Sequence, residues 1–496
     1  MKKSIFGMLL VMESLFLGSI SLVALYYHYT QGDQDWKAFA ITTAITFVCG
    51  AVLTAYGHTD IGRTEKQLSR GGAFIVVGLT WVVFSIFGML PFILYEGLDV
   101  DVASAYFETM SGFSTMGATI IPDIEAMPHG ILMWRSMMQW MGGLGIVVFS
   151  FAMLPVKDMK NSTMFIAEMS GLTIHRLQPK IGATSRRLLL IYLVLTIICA
   201  IMFWVGPMDL FDAVCFSFST IATGGYGTHT ASIGYFQSSY IEYVCATFML
   251  ISSLNFGIYY YISIRRGREC LKNEEVKAFL LTVTGLVAVF CLLFRFSMYD
   301  SGVKVPETGE EIFRTSLFHV ATIISSSGFQ AECYDYVGWG IPFWMPTIMM
   351  MILGGCTVST AGGMKMMRVL IYLKYAMREF RTFLHPHAII GIKFNGRVIN
   401  DRHIQRVVSY LIIYVFILIF SCAAMTLITD FDLTTIFGAV ASSFGNTGPA
   451  LGSLGPAGNF VDVPAAGKWL LSFLMVVGRL EIFTVLFLFM PKAWRI

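Results

Sequence analysis

Four stretches of this 496-residue chain share one plan, and that plan leaves little choice of fold. They read "VASAYFETMSGFSTMGATII", "LFDAVCFSFSTIATGGYGT", "IFRTSLFHVATIISSSGFQ" and "LTTIFGAVASSFGNTGPALG". Each begins as a short amphipathic segment, runs into small polar residues and ends at a glycine. Apolar segments of about 10–14 residues suit a re-entrant piece better than a bilayer span. The key glycines are Gly117, Gly225, Gly328 and Gly448, separated by 108, 103 and 120 residues, and such regular spacing indicates an internal repeat. A long apolar run precedes and follows each stretch, so the unit is helix, loop, helix, written four times. Loop backbone at bilayer depth is tolerated only where it lines water or is buried in protein. Four loops around one axis satisfy that rule, whereas one loop alone does not.

The composition agrees with a membrane protein. The chain is 56% hydrophobic and 13% charged, against about 25% charged residues in soluble domains. Runs of bilayer length recur, among them Leu188–Gly206, Phe279–Phe296 and Val407–Ile428. The N-terminal run starts with Lys2 and Lys3, is interrupted by Glu13 and exceeds a signal-peptide core, so it is expected to be a retained first span. The nine cysteines form no CxxC pair, and neither a disulfide framework nor a metal cluster is expected.

With the N-terminus placed inside, the spans alternate and most of the 34 basic residues fall on one side. These are Lys2 and Lys3; Arg63, Lys66 and Arg70; Lys157, Lys160, Arg176, Lys180, Arg186 and Arg187; Arg265, Arg266, Arg268, Lys272 and Lys277; eight between Arg368 and Arg406; and Lys492 and Arg495. The other side holds Lys37, Lys304, Arg314 and Lys468 among acids such as Asp300, Glu307 and Asp462. This is the positive-inside pattern, which places both termini in the cytoplasm. The basic clusters are topology determinants rather than nucleic-acid sites.

Thr223-Gly224-Gly225-Tyr226-Gly227 looks like a potassium-channel filter loop, in which four sets of backbone carbonyls replace the ion's hydration shell. The expected ion-binding residues are Thr115, Met116 and Gly117; Thr223, Gly224 and Gly225; Ser326, Ser327 and Gly328; and Asn446, Thr447 and Gly448, with K+ held at their carbonyls. Glycine at the repeated position allows carbonyls to turn toward one axis at low conformational cost. The negative C-terminal end of each short helix, aimed at the centre, favours a cation.

The outgoing helix of the third unit contains "MMMILGGCTVSTAGGMKMMRV". Gly354, Gly355, Gly362 and Gly363 bracket Thr357, Ser359 and Thr360, a composition that weakens a helix by about 1 kcal/mol per mid-helix glycine. Close helix packing through small residues is one reading; the other is an unwound intramembrane loop serving as a gate. Lys365 directly after it and Arg479 deep in the last helix favour the gate, because charges at membrane depth are costly and mark function or pairing. A structural pairing of Arg479 with Glu481 or another acid stays open. Arg135, Gln139 and Trp140 suit an interfacial anchor, and Glu108 is either solvated or a vestibule cation attractor.

"FETMSGFSTMGATII", "WRSMMQWMGGLGIVV", "IATGGYGTH", "GGCTVSTAGGMK", "SSFGNTGPALG" and "GRLEIFTVLFLF" together resemble the Trk/Ktr/HKT superfamily of potassium transporters, and within it the membrane subunit of bacterial Trk uptake systems. The resemblance covers nearly the whole chain, including a two-helix preface like that of the Trk branch. Met116, Ser326-Ser327 and Tyr226-Gly227 depart from the usual pattern, but carbonyl coordination depends little on side chains and potassium selectivity is expected to survive. The resemblance implies an all-α integral membrane protein with four helix–pore loop–helix repeats around a central pore. The expected divisions are 1–70 for the N-terminal pair, then repeats at 71–187, 188–272, 273–400 with the gate loop, and 401–496. It implies potassium uptake across a bacterial cytoplasmic (inner) membrane, a homodimer, surrounding lipid, no tightly bound cofactor, and a peripheral nucleotide-binding regulatory subunit of the TrkA type. The chain itself has no GxxxxGK[ST] motif for nucleotide and no HExxH; no enzymatic activity is expected. A sodium or mixed-cation pore, marked by serine at a filter glycine, and K+ symport with H+ or Na+ are the alternatives.

Overall fold

The computed structural model describes residues 2–59, 70–152, 181–263, 272–296, 305–331, 337–388, 390–456 and 458–491. Arg63, Lys66, Lys157, Lys160, Arg176, Lys180, Arg265, Arg266, Arg268, Asp300, Lys304, Lys492, Arg495, Cys270 and Cys333 lie outside the described residues.

The regular secondary structure of the described residues is helical apart from a small hairpin in which Lys393–Phe394 pairs antiparallel with Arg397–Val398. Among the described residues, six helices are long and apolar enough to cross a membrane: Ser4–Gln31, Trp36–Tyr56, Ile75–Leu94, Arg186–Val205, Glu274–Phe296 and Asp401–Ile428. A further pair, Ser239–Ser253 and Phe256–Ser263, would pass as one span but is bent by 88°. Leu190, Ile197, Leu281, Phe416 and Leu427 are exposed on these helices. Such outward-facing apolar side chains suit helices whose solvent is lipid.

Lys2–Gln31 and Trp36–Thr59 form an antiparallel pair whose crossing relies on Gly7 and Gly50. A methyl group at Gly50 would sit 2.9 Å from the Val11 amide, so the small residues permit the close approach. The turn of this pair caps a neighbour. Asp33 accepts the His129 amide at 2.9 Å and Asp35 the Ile131 amide at 3.1 Å, satisfying free donors at the start of His129–Ala152.

Four short helices carry the loops: Val102–Phe113, Leu210–Ala222, Gly309–Ile324 and Leu433–Gly445. Each is started by a side-chain cap. Asp101, Asp209 and Asp432 accept amides of the first turn, and Thr308 forms a capping box with Glu311. Their packing splits into two apolar cores. One joins the N-terminal pair to the first and fourth short helices through Leu17, Phe107, Phe113, Phe444 and Leu474. The other joins the second and third through Phe216, Ile221, Phe318 and Ile323.

Candidate ion pathway

The four loops have one backbone conformation despite four different sequences. Thr115, Thr223, Ser326 and Asn446 are left-handed, with φ of 57, 55, 56 and 54°. Two residues on, Gly117, Gly225, Gly328 and Gly448 are left-handed again, at 85, 84, 78 and 96°. The amide between them bonds back to the short helix in every case: Met116 to the Ser111 carbonyl, Gly224 to Ser219, Ser327 to Thr322 and Thr447 to Ser442, at 2.8–2.9 Å.

The glycines also close a ring. A methyl group built on Gly117 would fall on the Gly224 carbonyl oxygen, one on Gly225 on that of Ser327, and one on Gly328 on that of Thr447. One on Gly448 would lie 2.6 Å from the Met116 oxygen, which returns to the first loop. Each loop therefore packs its glycine against the next loop's backbone, where only a missing Cβ leaves room. A single cavity touches all four glycines and continues past Thr119, Arg135, Tyr226 and Asn459.

Side chains that the sequence reading set aside hold this ring. Arg135 and Gln139, read as interfacial anchors, are 1% and 0% exposed. Gln139 grips the second loop from both ends: its Nε2 donates to the Gly224 carbonyl at 2.7 Å and its Oε1 accepts the Tyr226 amide at 3.1 Å. Arg135 Nε donates to Glu108 at 2.9 Å, Nη1 donates to the Gly227 carbonyl at 3.2 Å, and the guanidinium lies 4.2 Å from the centre of the Tyr226 ring. Glu108 is 0% exposed, neither solvated nor facing a vestibule; it also accepts the Ile120 amide and the Thr119 hydroxyl. The Tyr226 hydroxyl donates to the carbonyls of Glu108 and Ala118. The first and second loops are thus stitched together by one buried charge pair and one phenol. The available signal was the i,i+4 spacing of Arg135 and Gln139, which puts two polar side chains on one face of an apolar helix.

On the opposite side of the ring from the cavity, two outgoing helices are broken. Helix Ile341–Ile352 stops, the chain loops through residues 353–365, and helix Met366–Leu384 resumes. The loop's ends pair with each other through Gly354 N to the Met364 carbonyl and Met364 N to the Ile352 carbonyl, at 2.9 Å each. Gly362 N donates to the Ser326 hydroxyl at 2.5 Å, and a methyl group on Gly362 would overlap the Gly445 carbonyl oxygen. The Thr360 hydroxyl lies 3.2 Å from the carbonyls of Ile221 and Ser252. The loop is therefore bonded beneath the second and third ring segments and packed against the fourth. Gly355 is pressed against the Ser253 carbonyl, Ser359 bonds the Cys356 carbonyl, and Gly363 is left-handed at 68° against Gly354.

The second break, at Leu254–Asn255 within "SSLNFG", had no counterpart in the sequence reading. Here the loop fills the bend. Cys356 N donates to the Ser253 carbonyl and Phe256 N to the Val358 carbonyl, so backbone groups freed in each broken helix satisfy one another.

Lys365 Nζ turns back to the Ala361 carbonyl at 2.5 Å. Arg479, from helix Ala465–Leu480, donates through Nη1 to the Thr360 carbonyl at 2.5 Å. Its Nε and Nη2 are buried and have no hydrogen-bond partner among the described residues. Glu481 is not its partner: it pairs at 2.6 Å with Arg368, whose guanidinium lies over Tyr410. A buried cation thus contacts the loop's backbone with no ion-paired acid among the described residues.

The TrkH family, described as a cation transport protein, matches residues 36–496. The chain is 34% identical to the Trk system potassium uptake protein TrkH of Salmonella typhimurium, over 99% of this chain and 98% of that protein. It is 30% identical to the Trk system potassium uptake protein TrkG of Escherichia coli, over 99% and 97%. Its structure superposes on a crystal structure of the potassium transporter TrkH from Vibrio parahaemolyticus with a TM-score of 0.87, at 31% identity and 99% coverage of both chains.

Proposed function

Because the chain belongs to the TrkH family of cation transport proteins, we propose that it takes up potassium through the ring of four loops and that residues 353–365 gate the passage. The observation that carries this reading is the closed ring, in which four identical backbone conformations meet glycine to carbonyl. An ion entering from the cavity side would exchange water for carbonyls of residues 115–116, 223–224, 326–327 and 446–447. It would then meet the loop beneath, where Arg479 adds a repelling charge and a hydrogen bond that holds the loop across the path. On this reading the chain divides into the N-terminal pair, 1–70, and repeats at 71–187, 188–272, 273–400 and 401–496.

The test is ion flux into liposomes containing the purified chain, comparing K+, Rb+, Na+ and Li+. Flux of K+ and Rb+ well above that of Na+ and Li+ is expected; equal flux of all four overturns the assignment. Gly117→Ser probes the ring itself. Its Cβ would press on the Gly224 carbonyl at a φ unfavourable for serine, so the carbonyls must shift. The expected result is a K+/Na+ permeability ratio about tenfold lower, the equivalent of about 1.4 kcal/mol. An unchanged ratio would count against placing ion selection at this glycine. Arg479→Ala removes the clamp on Thr360, and unregulated flux is expected to rise at least about tenfold, in line with about 1.5–3 kcal/mol for a hydrogen bond to a charged group. Flux at the original level would contradict the gating role of Arg479.

The crowding of basic residues on one side supports cytoplasmic termini in an inner membrane. The chain carries no nucleotide-binding motif of its own. Nucleotide control is therefore assigned to a separate regulatory subunit of the TrkA type, docked on the basic face of a homodimer.

A further inference from the structure

We propose that Glu275 is a positioning residue that latches the residue 353–365 loop through Thr357 and ties it to the hairpin at Lys393–Val398. This inference rests on the gating reading above and names a second hold on the loop, independent of Arg479. Glu275 lies at the start of helix Glu274–Phe296 and is 0% exposed. Both of its oxygens are used on one loop residue: Oε1 accepts the Thr357 amide at 2.6 Å and Oε2 the Thr357 hydroxyl at 2.8 Å. Asn255 Nδ2 lies 3.2 Å from the same hydroxyl, which brings in the break in the neighbouring helix. A buried carboxylate that accepts two hydrogen bonds from one residue fixes that residue's backbone and rotamer together.

The residue beside Glu275 faces outward to the hairpin. Glu274 forms an ion pair with Lys374, and its amide donates to Asn395 Oδ1 at 2.8 Å. Lys374 Nζ also donates to the Lys393 carbonyl at 2.7 Å. One turn of helix thus carries the latch on one residue and the hairpin contact on the next. A partner that displaces the hairpin pulls on the helix start, and the loop responds at Thr357. The loop's glycines lower the cost of its movement once the latch opens, while the ring above keeps its own hydrogen bonds to the short helices.

The experiment measures single-channel currents and Rb+ flux per reconstituted full-length chain, without a regulatory subunit, for Glu275→Gln, Thr357→Val and Thr357→Ser. Glutamine leaves one uncharged acceptor oxygen for the Thr357 amide and sets an NH2 donor against the hydroxyl, which already accepts from Asn255, and valine removes the hydroxyl. Each is expected to raise open probability roughly tenfold, the scale of one charge-assisted hydrogen bond, with single-channel conductance and the K+/Na+ ratio unchanged. Thr357→Ser, which restores the hydroxyl, is expected to return the low open probability. The double variant Glu275→Gln/Thr357→Val should add little to either single one. A purely structural role would instead lower the yield of folded protein without changing open probability, and that result overturns the latch. Arg479→Ala is run in parallel. If it raises open probability while Glu275→Gln and Thr357→Val do not, the latch is wrong and the gate stands; if none of the three does, the gating reading fails as well. Should Glu275→Gln fail to fold, Thr357→Val decides.

Discussion

Gly225→Ala is expected to abolish selective flux, lowering K+ uptake per folded chain by at least ~100-fold. Two costs combine at this position. The first is backbone strain: φ is 84°, where an L-residue is unfavourable by about 1–3 kcal/mol. The second is steric. The new methyl group would overlap the Ser327 carbonyl oxygen, which belongs to the next loop's backbone and has no rotamer by which to withdraw. The strain can relax only by turning one loop or pushing the other outward, and either move breaks the carbonyl ring. Gly285→Ala is the comparison. Its added methyl meets nothing within 4 Å on helix Glu274–Phe296, so flux should be retained and the helix slightly stabilised. Rb+ flux and K+/Na+ permeability in liposomes, normalised to folded protein, provide the measurement. Wild-type flux in Gly225→Ala would exclude this glycine from the ion path.

Arg135→Met should cost both stability and selectivity. It leaves the buried Glu108 carboxylate with the Ile120 amide and the Thr119 hydroxyl as its hydrogen-bond donors among the described residues. It also removes the donor to the Gly227 carbonyl and the cation over Tyr226. Breaking a buried pair by removing one partner costs about 3–5 kcal/mol, because the remaining charge stays in a low-dielectric site. The first and second loops then lose their shared anchor, so the K+/Na+ ratio should fall together with the thermal midpoint in detergent. Adding Glu108→Gln removes the stranded charge and should recover part of the stability. Selectivity should not recover, because the Gly227 carbonyl remains unheld. A single variant with unchanged midpoint and unchanged ion preference would show that this pair does not support the ring.

Much of this arrangement was legible in the residues. Glycine is the one side-chain-free residue, so a position that needs both a positive φ and a close backbone neighbour is written as Gly in all four loops. The left-handed position two residues earlier was not legible. Thr115, Thr223, Ser326 and Asn446 share one φ but not a single residue type, since the bond from the following amide to the short helix imposes the conformation. The unwinding between Ile352 and Met366 was foreshadowed by four glycines, whereas the bend at Asn255 has only one polar residue and a following glycine to mark it. Glu108 and Arg135 were visible as charges in apolar surroundings. Their pairing was not visible, because 27 residues separate them and a helix, a loop and another helix must fold before they meet.

The order of spans, the four re-entrant segments and their glycines followed from local chemistry alone. A bilayer forbids unpaired backbone except in a lined or buried loop, and a left-handed crowded position excludes a Cβ; both constraints act on short stretches of chain. The contacts that tie those stretches together were decided only by the tertiary structure. Gln139 on the second loop, Arg135 on Glu108, Arg479 on Thr360 and Glu275 on Thr357 are hydrogen-bonded partnerships between elements far apart in the chain. Any of these polar side chains had several conceivable partners, and only the packing of the helices around the ring brought one within bonding distance.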